Sequence, residues 1–149
     1  MISGTPFDRL LLGGMRDAER LAVANPAGIT TVINLGSEEC ARRAEGIRYI
    51  HIPFRDDQAN PKTALDHALA AIVDRIRGGR VLLHCAAGMS RSVAVAALYL
   101  HVVGYATYQD ALTAIAKFRE VDVSPAMRRS VESYLVGLAK EGRNGINTG

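Results

Sequence analysis

The stretch RVLLHCAAGMSRSVAVAALYLHVV, residues 80–103, constrains the fold more than any other part of this chain. RVLLH is a short apolar run that predicts a buried strand over 80–84. RSVAVAALYLHVVG, residues 91–104, is apolar nearly all round and predicts a central buried helix. Between them CAAGMS is small or flexible except at Met89, the composition of a tight loop whose backbone faces something. A buried strand passing through such a loop into a buried helix requires a sheet with helices packed on it.

The remaining segments fit that requirement. RLLLGG (9–14) reads as a short edge strand with a turn, and MRDAERLAVAN (15–25) as a helix ending before Pro26. ITTVINL (29–35) is rich in β-branched residues and reads as a buried strand. SEECARRAEG (37–46) predicts a short helix capped by Ser37 and closed by Gly46, and IRYIHI (47–52) a strand. PFRDDQAN (53–60) is polar and turn-prone.

Asn60 and Pro61 suit a helix start, with Leu65, Leu69, Ile72, Val73 and Ile76 on one face until Gly78 and Gly79. Thr107 can cap YQDALTAIAKFRE, and Ser124 with Pro125 opens a last helix to about Lys140. The expected fold is α/β, a largely parallel sheet of four to five strands flanked by helices. One domain over 1–141 is expected, with 142–149 a flexible tail.

With 149 residues the chain is long enough for one real core. Lysine and arginine number 18 against 15 acidic residues, and this net charge of +3 is too slight and dispersed to argue for nucleic acid. No segment has the length and apolarity of a membrane span, and the N-terminal residues lack a signal-peptide pattern, so a cytoplasmic protein is expected. The two cysteines, Cys40 and Cys85, are in that setting better read as thiols than as a structural disulfide.

The loop after the strand supplies a chemistry. Amides of Ala86, Ala87, Gly88, Met89, Ser90 and Arg91 can turn inward as an anion-binding nest, with the helix N-terminus adding partial positive charge. Arg91 offers a planar fork for two phosphate oxygens. The same field favours the thiolate of Cys85, giving a sulfur nucleophile aimed at a bound oxyanion. The bland alternative makes Cys85 a small buried hydrophobe and Arg91 a surface charge. It leaves the preceding strand, the internal glycine and the arginine at the helix start unexplained.

HCAAGMSRS (84–92) resembles the signature loop of the cysteine-dependent protein tyrosine phosphatase superfamily: His-Cys, five residues, Arg, then Ser or Thr. Its Ser-Arg-Ser ending resembles the dual-specificity branch. RLLLGG, GITTVINL, YIHIPFRDD and the two C-terminal helices extend the likeness in the family's order. The resemblance implies that Cys85 attacks phosphorus in line to form a thiophosphoryl-enzyme. Arg91 and the loop amides would hold the phosphoryl oxygens, Ser92 would stabilise the thiolate as the intermediate breaks down, and His84 would orient the loop. No metal or cofactor is implied.

Phosphoester cleavage also needs a proton for the leaving oxygen. Parallel strands at 47–52 and 80–84 would bring PFRDDQAN to the cysteine loop, offering Asp56 and Asp57. The resemblance places the acid at Asp56, with Asp57 the competitor. His51, His67 and His101 show no metal-ligand spacing. Cys40 could form a redox-protective disulfide with Cys85, as some relatives do with a second thiol, but its position does not match theirs and it is read as a free thiol.

The resemblance thus implies a phosphomonoesterase for phosphotyrosine, with phosphoserine and phosphothreonine as further substrates, the short chain leaving little room for elements that deepen the pocket. The alternatives are a non-protein phosphoester (a phosphoinositide, nucleotide or sugar phosphate) and an inactive phosphoprotein-binding module. Cys85, Arg91, Ser92 and an upstream aspartate together argue against the second. Sulfur transfer and arsenate reduction also use cysteine loops followed by arginine, but the arsenate reductase type places its loop near the N-terminus.

Overall fold

The computed structural model describes the backbone of residues 1–148 and the side chains of 1–142. Its centre is a five-stranded sheet in the order β1-β2-β5-β3-β4. The strands are β1 (Ser3–Gly4), β2 (Leu10–Gly13), β3 (Ile29–Asn34), β4 (Arg48–His51) and β5 (Arg80–His84). All neighbours pair in parallel except β1 and β2. The helices are α1 (Met15–Arg20), α2 (Lys62–Ile76), α3 (Arg91–Val102), α4 (Tyr108–Ala116) and α5 (Pro125–Thr148).

Strand alternation divides the core in two. Val81 and Leu83 of β5 face a large cluster that takes in Leu65, Leu69 and Ile72 of α2, buried residues of α3, Ile115 of α4 and Met127 and Val131 of α5. Leu82 faces the other way, onto a smaller cluster with Ala18, Leu21, Ile29, Val32 and Cys40. Helix α3 is buried continuously from Ser92 to Leu100, as its all-round apolar sequence requires.

Several segments depart from expectation. Residues 9–14 do not form an edge strand, because β1 pairs with β2 on its outer side. Helix α1 ends at Arg20 rather than Asn25: the chain tightens into i→i+3 bonds at Leu21, Ala22 and Val23. Asn25 instead bonds Ile29 through both its side-chain oxygen and nitrogen, each at 2.9 Å, and so steers the chain into β3.

Residues 37–46 form no helix. Asn34 Nδ2 donates to Glu38 O at 2.7 Å and the Cys40 thiol to Arg42 O at 3.0 Å, so carbonyls a helix would need are engaged by side chains. Asn60 does not cap α2 with its side chain, and Val73 lies 38% exposed at the margin of that helix's buried face. Thr107 does cap α4, its hydroxyl accepting from Asp110 N at 3.1 Å. Helix α5 passes beyond Lys140, while most of 142–149, the expected tail, has side chains outside the described residues.

Register positions the site. Asn34 at the end of β3 pairs with His51 of β4 on one side and His84 of β5 on the other. The segments after β4 and β5 therefore leave the same sheet edge at the same level, flanking β3. Ile52 N donates to Asn34 O and Phe54 N to Leu35 O, both at 2.9 Å, which carries the first of them past the sheet.

Candidate active site

Cys85 stands immediately beyond β5, and its thiol is free and buried. Its Sγ lies 3.3 Å from Ser92 Oγ, on the first turn of α3. Around it, residues 86–90 curl back toward Arg91, the first residue of that helix. Ala86 and Ala87 are exposed, whereas Gly88 and Ser90 are buried.

The curl is held from behind. Cys85 O lies 3.0 Å from His84 Nδ1, Ala86 O accepts from Met15 N at 2.9 Å, and Met89 O accepts from Asp122 N at 2.9 Å. Gly88 O accepts from Arg119 Nε at 2.7 Å. No peptide here is cis, so each carbonyl fixed outward turns the next N–H to the opposite, inner side. The N–H groups of Ala86, Ala87, Met89 and Ser90 are thereby turned away from these four ties.

Two glycines make this possible. Gly88 has φ +77°, and a Cβ there would meet Gly13 O and Arg119 Nη2, each at 2.6 Å. A Cβ at Gly14 would sit 2.7 Å from Ala86 O, so only glycine lets the β2–α1 turn pass beneath the loop. That turn is itself fixed by Asp17, whose Oδ2 accepts from Gly14 N at 2.8 Å.

His84 is fully buried, and burial holds its ring below the ordinary histidine pKa. Its Nδ1 faces a carbonyl and must carry the proton, while buried Nε2 has no partner among the described residues. A neutral ring acting as a donor to Cys85 O suits the expected orienting part.

Arg91 Nη1 donates to Phe54 O at 3.2 Å and to Ser37 Oγ at 3.4 Å, and its buried Nε has no partner among the described residues. Ser37, Arg55, Asp56, Asp57 and Arg91 line an open cavity of about 660 Å³.

The two aspartates of the facing loop differ. Asp56 Oδ1 accepts from Ser90 Oγ at 2.6 Å, joining this loop to the cysteine loop. Asp57 is held by Arg55, whose Nε and Nη2 donate to its oxygens at 3.1 Å, and this pairing lowers its pKa. Asn60 closes the loop: its Oδ1 accepts from Arg55 N and its Nδ2 donates to Arg55 O, each at 2.8 Å.

The remaining candidates lie in local roles. His51 Nε2 contacts Gly36 O at 2.7 Å and His101 Nδ1 contacts Ala106 O at 3.1 Å, while His67 is exposed. Cys40 belongs to the smaller core cluster and has no disulfide; burial pushes its thiol pKa up. Among the described residues no three His, Cys, Asp or Glu side chains gather as a metal-ligating group, and no helix is long and apolar enough to cross a membrane.

Arg119 went unnoticed in the sequence. Besides Gly88 O, it binds Leu12 O at 3.0 Å and Ser3 Oγ at 2.8 Å through Nη1, joining β1, β2 and the cysteine loop. In KFREVD it reads as an ordinary surface cation, and only the fold reveals its partners.

Residues 10–132 match the family model described as dual specificity phosphatase, catalytic domain. The chain belongs to that family. Human dual specificity protein phosphatase 2 is 37% identical over 94 residues, covering 61% of this chain and 30% of the relative. Mouse dual specificity phosphatase 28 is 36% identical over 101 residues, covering 64% and 62%. The match thus spans less than two thirds of either relative.

Among solved structures, human DUSP28 superposes with a TM-score of 0.80 at 25% identity, over 95% of this chain and 99% of that one. A mouse putative dual specificity phosphatase complexed with zinc tungstate gives 0.80 at 27%, over 95% and 89%. The five-stranded, mostly parallel sheet is this shared fold.

Proposed function

We propose that this chain is a metal-independent phosphomonoesterase, a protein-tyrosine and dual-specificity phosphatase working through a phospho-cysteine. The observation that carries the reading is the preformed cradle: a free thiol at its base, carbonyls tied on its outer side, and Arg91 Nε without a partner among the described residues. Tungstate, named with the mouse relative, is a tetrahedral oxyanion of the kind such a cradle would take. The catalytic unit is 1–141, with 142–149 a tail. Two free thiols suit a reducing compartment such as the cytoplasm.

In the first step the Cys85 thiolate attacks phosphorus, an S–P bond forms and the bond to the ester oxygen breaks. Arg91 and the inward amides hold the equatorial oxygens. Asp56 gives its proton to the departing oxygen, which leaves as a neutral alcohol or phenol, and becomes a carboxylate. In the second step water attacks phosphorus, its proton returns to Asp56, and the cysteine leaves as a thiolate stabilised by the Ser92 hydroxyl. Two contacts favour Asp56 over Asp57: its link to Ser90 of the cradle, and the engagement of Asp57 with Arg55.

The test is the initial rate for Asp56→Asn and Asp57→Asn, in a metal chelator, on phosphates of graded leaving-group basicity. Asp56→Asn is expected to lose ~10²–10⁴-fold on poor leaving groups and far less on activated aryl phosphates. Asp57→Asn is expected to lose little, evenly across the series. A sloping penalty for Asp57→Asn with a flat one for Asp56→Asn would transfer the acid to Asp57. Activity lost in chelator and restored by a divalent metal would overturn the mechanism.

A further inference from the structure

We propose that Ser90 is the positioning residue of the general acid, fixing the Asp56 carboxyl to the phosphate cradle and reserving Oδ2 for the transferred proton. The inference rests on the phosphatase reading above and deepens it. Ser90 immediately precedes Arg91, is 8% exposed, and has a hydroxyl engaged on two sides. Ser124 N donates to its oxygen at 2.9 Å, and its own proton reaches Asp56 Oδ1 at 2.6 Å.

The direction of that second bond follows from the first. With Ser124 N–H on the oxygen, the Ser90 proton has Asp56 as its only acceptor among the described residues. Oδ1 is therefore held as an acceptor in both states of the acid. When Asp56 is protonated, its proton sits on Oδ2; when that proton has moved to the leaving oxygen, the Ser90 bond remains to stabilise the carboxylate. No rearrangement of Ser90 is needed between the two steps.

The start of α5 is what makes Ser90 a fixed reference. Ser124 supplies the N–H to Ser90, and its own Oγ accepts from Met127 N at 3.1 Å, capping the helix. Nearly two turns on, Ser130 Oγ accepts from Asn60 N at 2.7 Å and donates to Ala126 O at 2.9 Å. The same helical segment thus holds the far end of the acid's loop and, through Ser90, the acid itself. An exposed aspartate on a polar loop gains from this the precise placement that proton transfer demands.

The experiment is a double-mutant cycle of Ser90→Ala and Asp56→Asn, read as rates across the graded phosphates, with Ser90→Thr as the rescue. Ser90→Ala is expected to lose about tenfold more on the poorest leaving group than on the most activated one, the scale of one hydrogen bond to a charged group. In the Asp56→Asn background Ser90→Ala is expected to add no further leaving-group dependence, because its effect passes through the carboxyl. Ser90→Thr, which keeps the hydroxyl, should restore the parental slope. An even loss across the series, or the same loss in both backgrounds, would make Ser90 only a shaper of the cradle and overturn the proposal. A flat series for Asp56→Asn alone would overturn the acid assignment, and this proposal with it.

Discussion

Between Cys85 and Arg91 the backbone is tied by His84, Met15, Arg119 and Asp122, which come from three places in the chain. Between Pro53 and Asn60, Arg55 to Ala59 are exposed, and the loop is closed by its own Asn60 side chain. Both leave the sheet beside β3, so topology does not separate them. Their tasks do. A cradle for a tetrahedral oxyanion must have its dipoles set in advance, because reorienting them during reaction would cost what they contribute. An acid must accommodate leaving groups of different size, and it needs one accurate reference point rather than a rigid frame.

The largest effect expected is at the centre of the rigid loop. Cys85→Ser should abolish turnover, since a hydroxyl is a poor nucleophile without an adjacent base. Under the proposed reading, in which backbone amides and Arg91 hold the anion, it should still bind inorganic phosphate; lost phosphate binding on isothermal titration would show that the thiolate holds the cradle together.

The contrast itself is tested by paired variants. Gly88→Ala puts a side chain where φ is +77° and Gly13 O is 2.6 Å away, so it should cost at least ~1–2 kcal/mol and weaken vanadate binding together. Asn60→Ala removes two exposed hydrogen bonds to Arg55 and a weak one to Met127 Sδ, and should cost about 1 kcal/mol, with vanadate affinity retained and turnover of poor leaving groups reduced several-fold. Urea unfolding and titration measure both. Equal stability losses, or a vanadate defect in Asn60→Ala, would erase the distinction between the loops.

The smallest expected effect concerns acid stability. Folding lowers the His84 pKa, so below the unfolded value of about 6.5 the unfolded chain binds a proton that the folded chain does not. Stability associated with His84 is therefore full above about pH 6.5 and declines as pH falls below it. His84→Asn, which can keep a donor toward Cys85 O, should show a shallower fall in melting temperature between about pH 7 and 5. An identical slope would mean that the buried ring takes up its proton without cost.

The parts legible in the sequence are those governed by patterns along it. Val81, Leu83 and the run from Val93 to Leu100 are buried as their apolar continuity requires, and the strand–loop–helix around Cys85 follows directly. Topology could bring Asp56 and Asp57 to the cysteine loop and the resemblance favoured Asp56, but their different partners, Ser90 and Arg55, could not be read from the sequence. Residues 37–46 misled because Asn34, lying outside the segment, ties Glu38 by its side chain. Arg119 and the Ser124 amide were invisible for the same reason: their partners are distant in sequence, and nothing in KFRE or DVSP marks them.

The arrangement of ties around the cradle also bears on how the chain is made. Synthesis delivers β5 and Cys85 before it delivers Arg119, Asp122 and Ser124. A ribosome-bound chain that has emerged only through α3 carries its thiol without the downstream donors for Gly88 O and Met89 O. The thiol is thus present in the nascent protein before the ties that shape its loop are complete. The loop gains its last outer ties only when the connection between α4 and α5 has closed over it from behind.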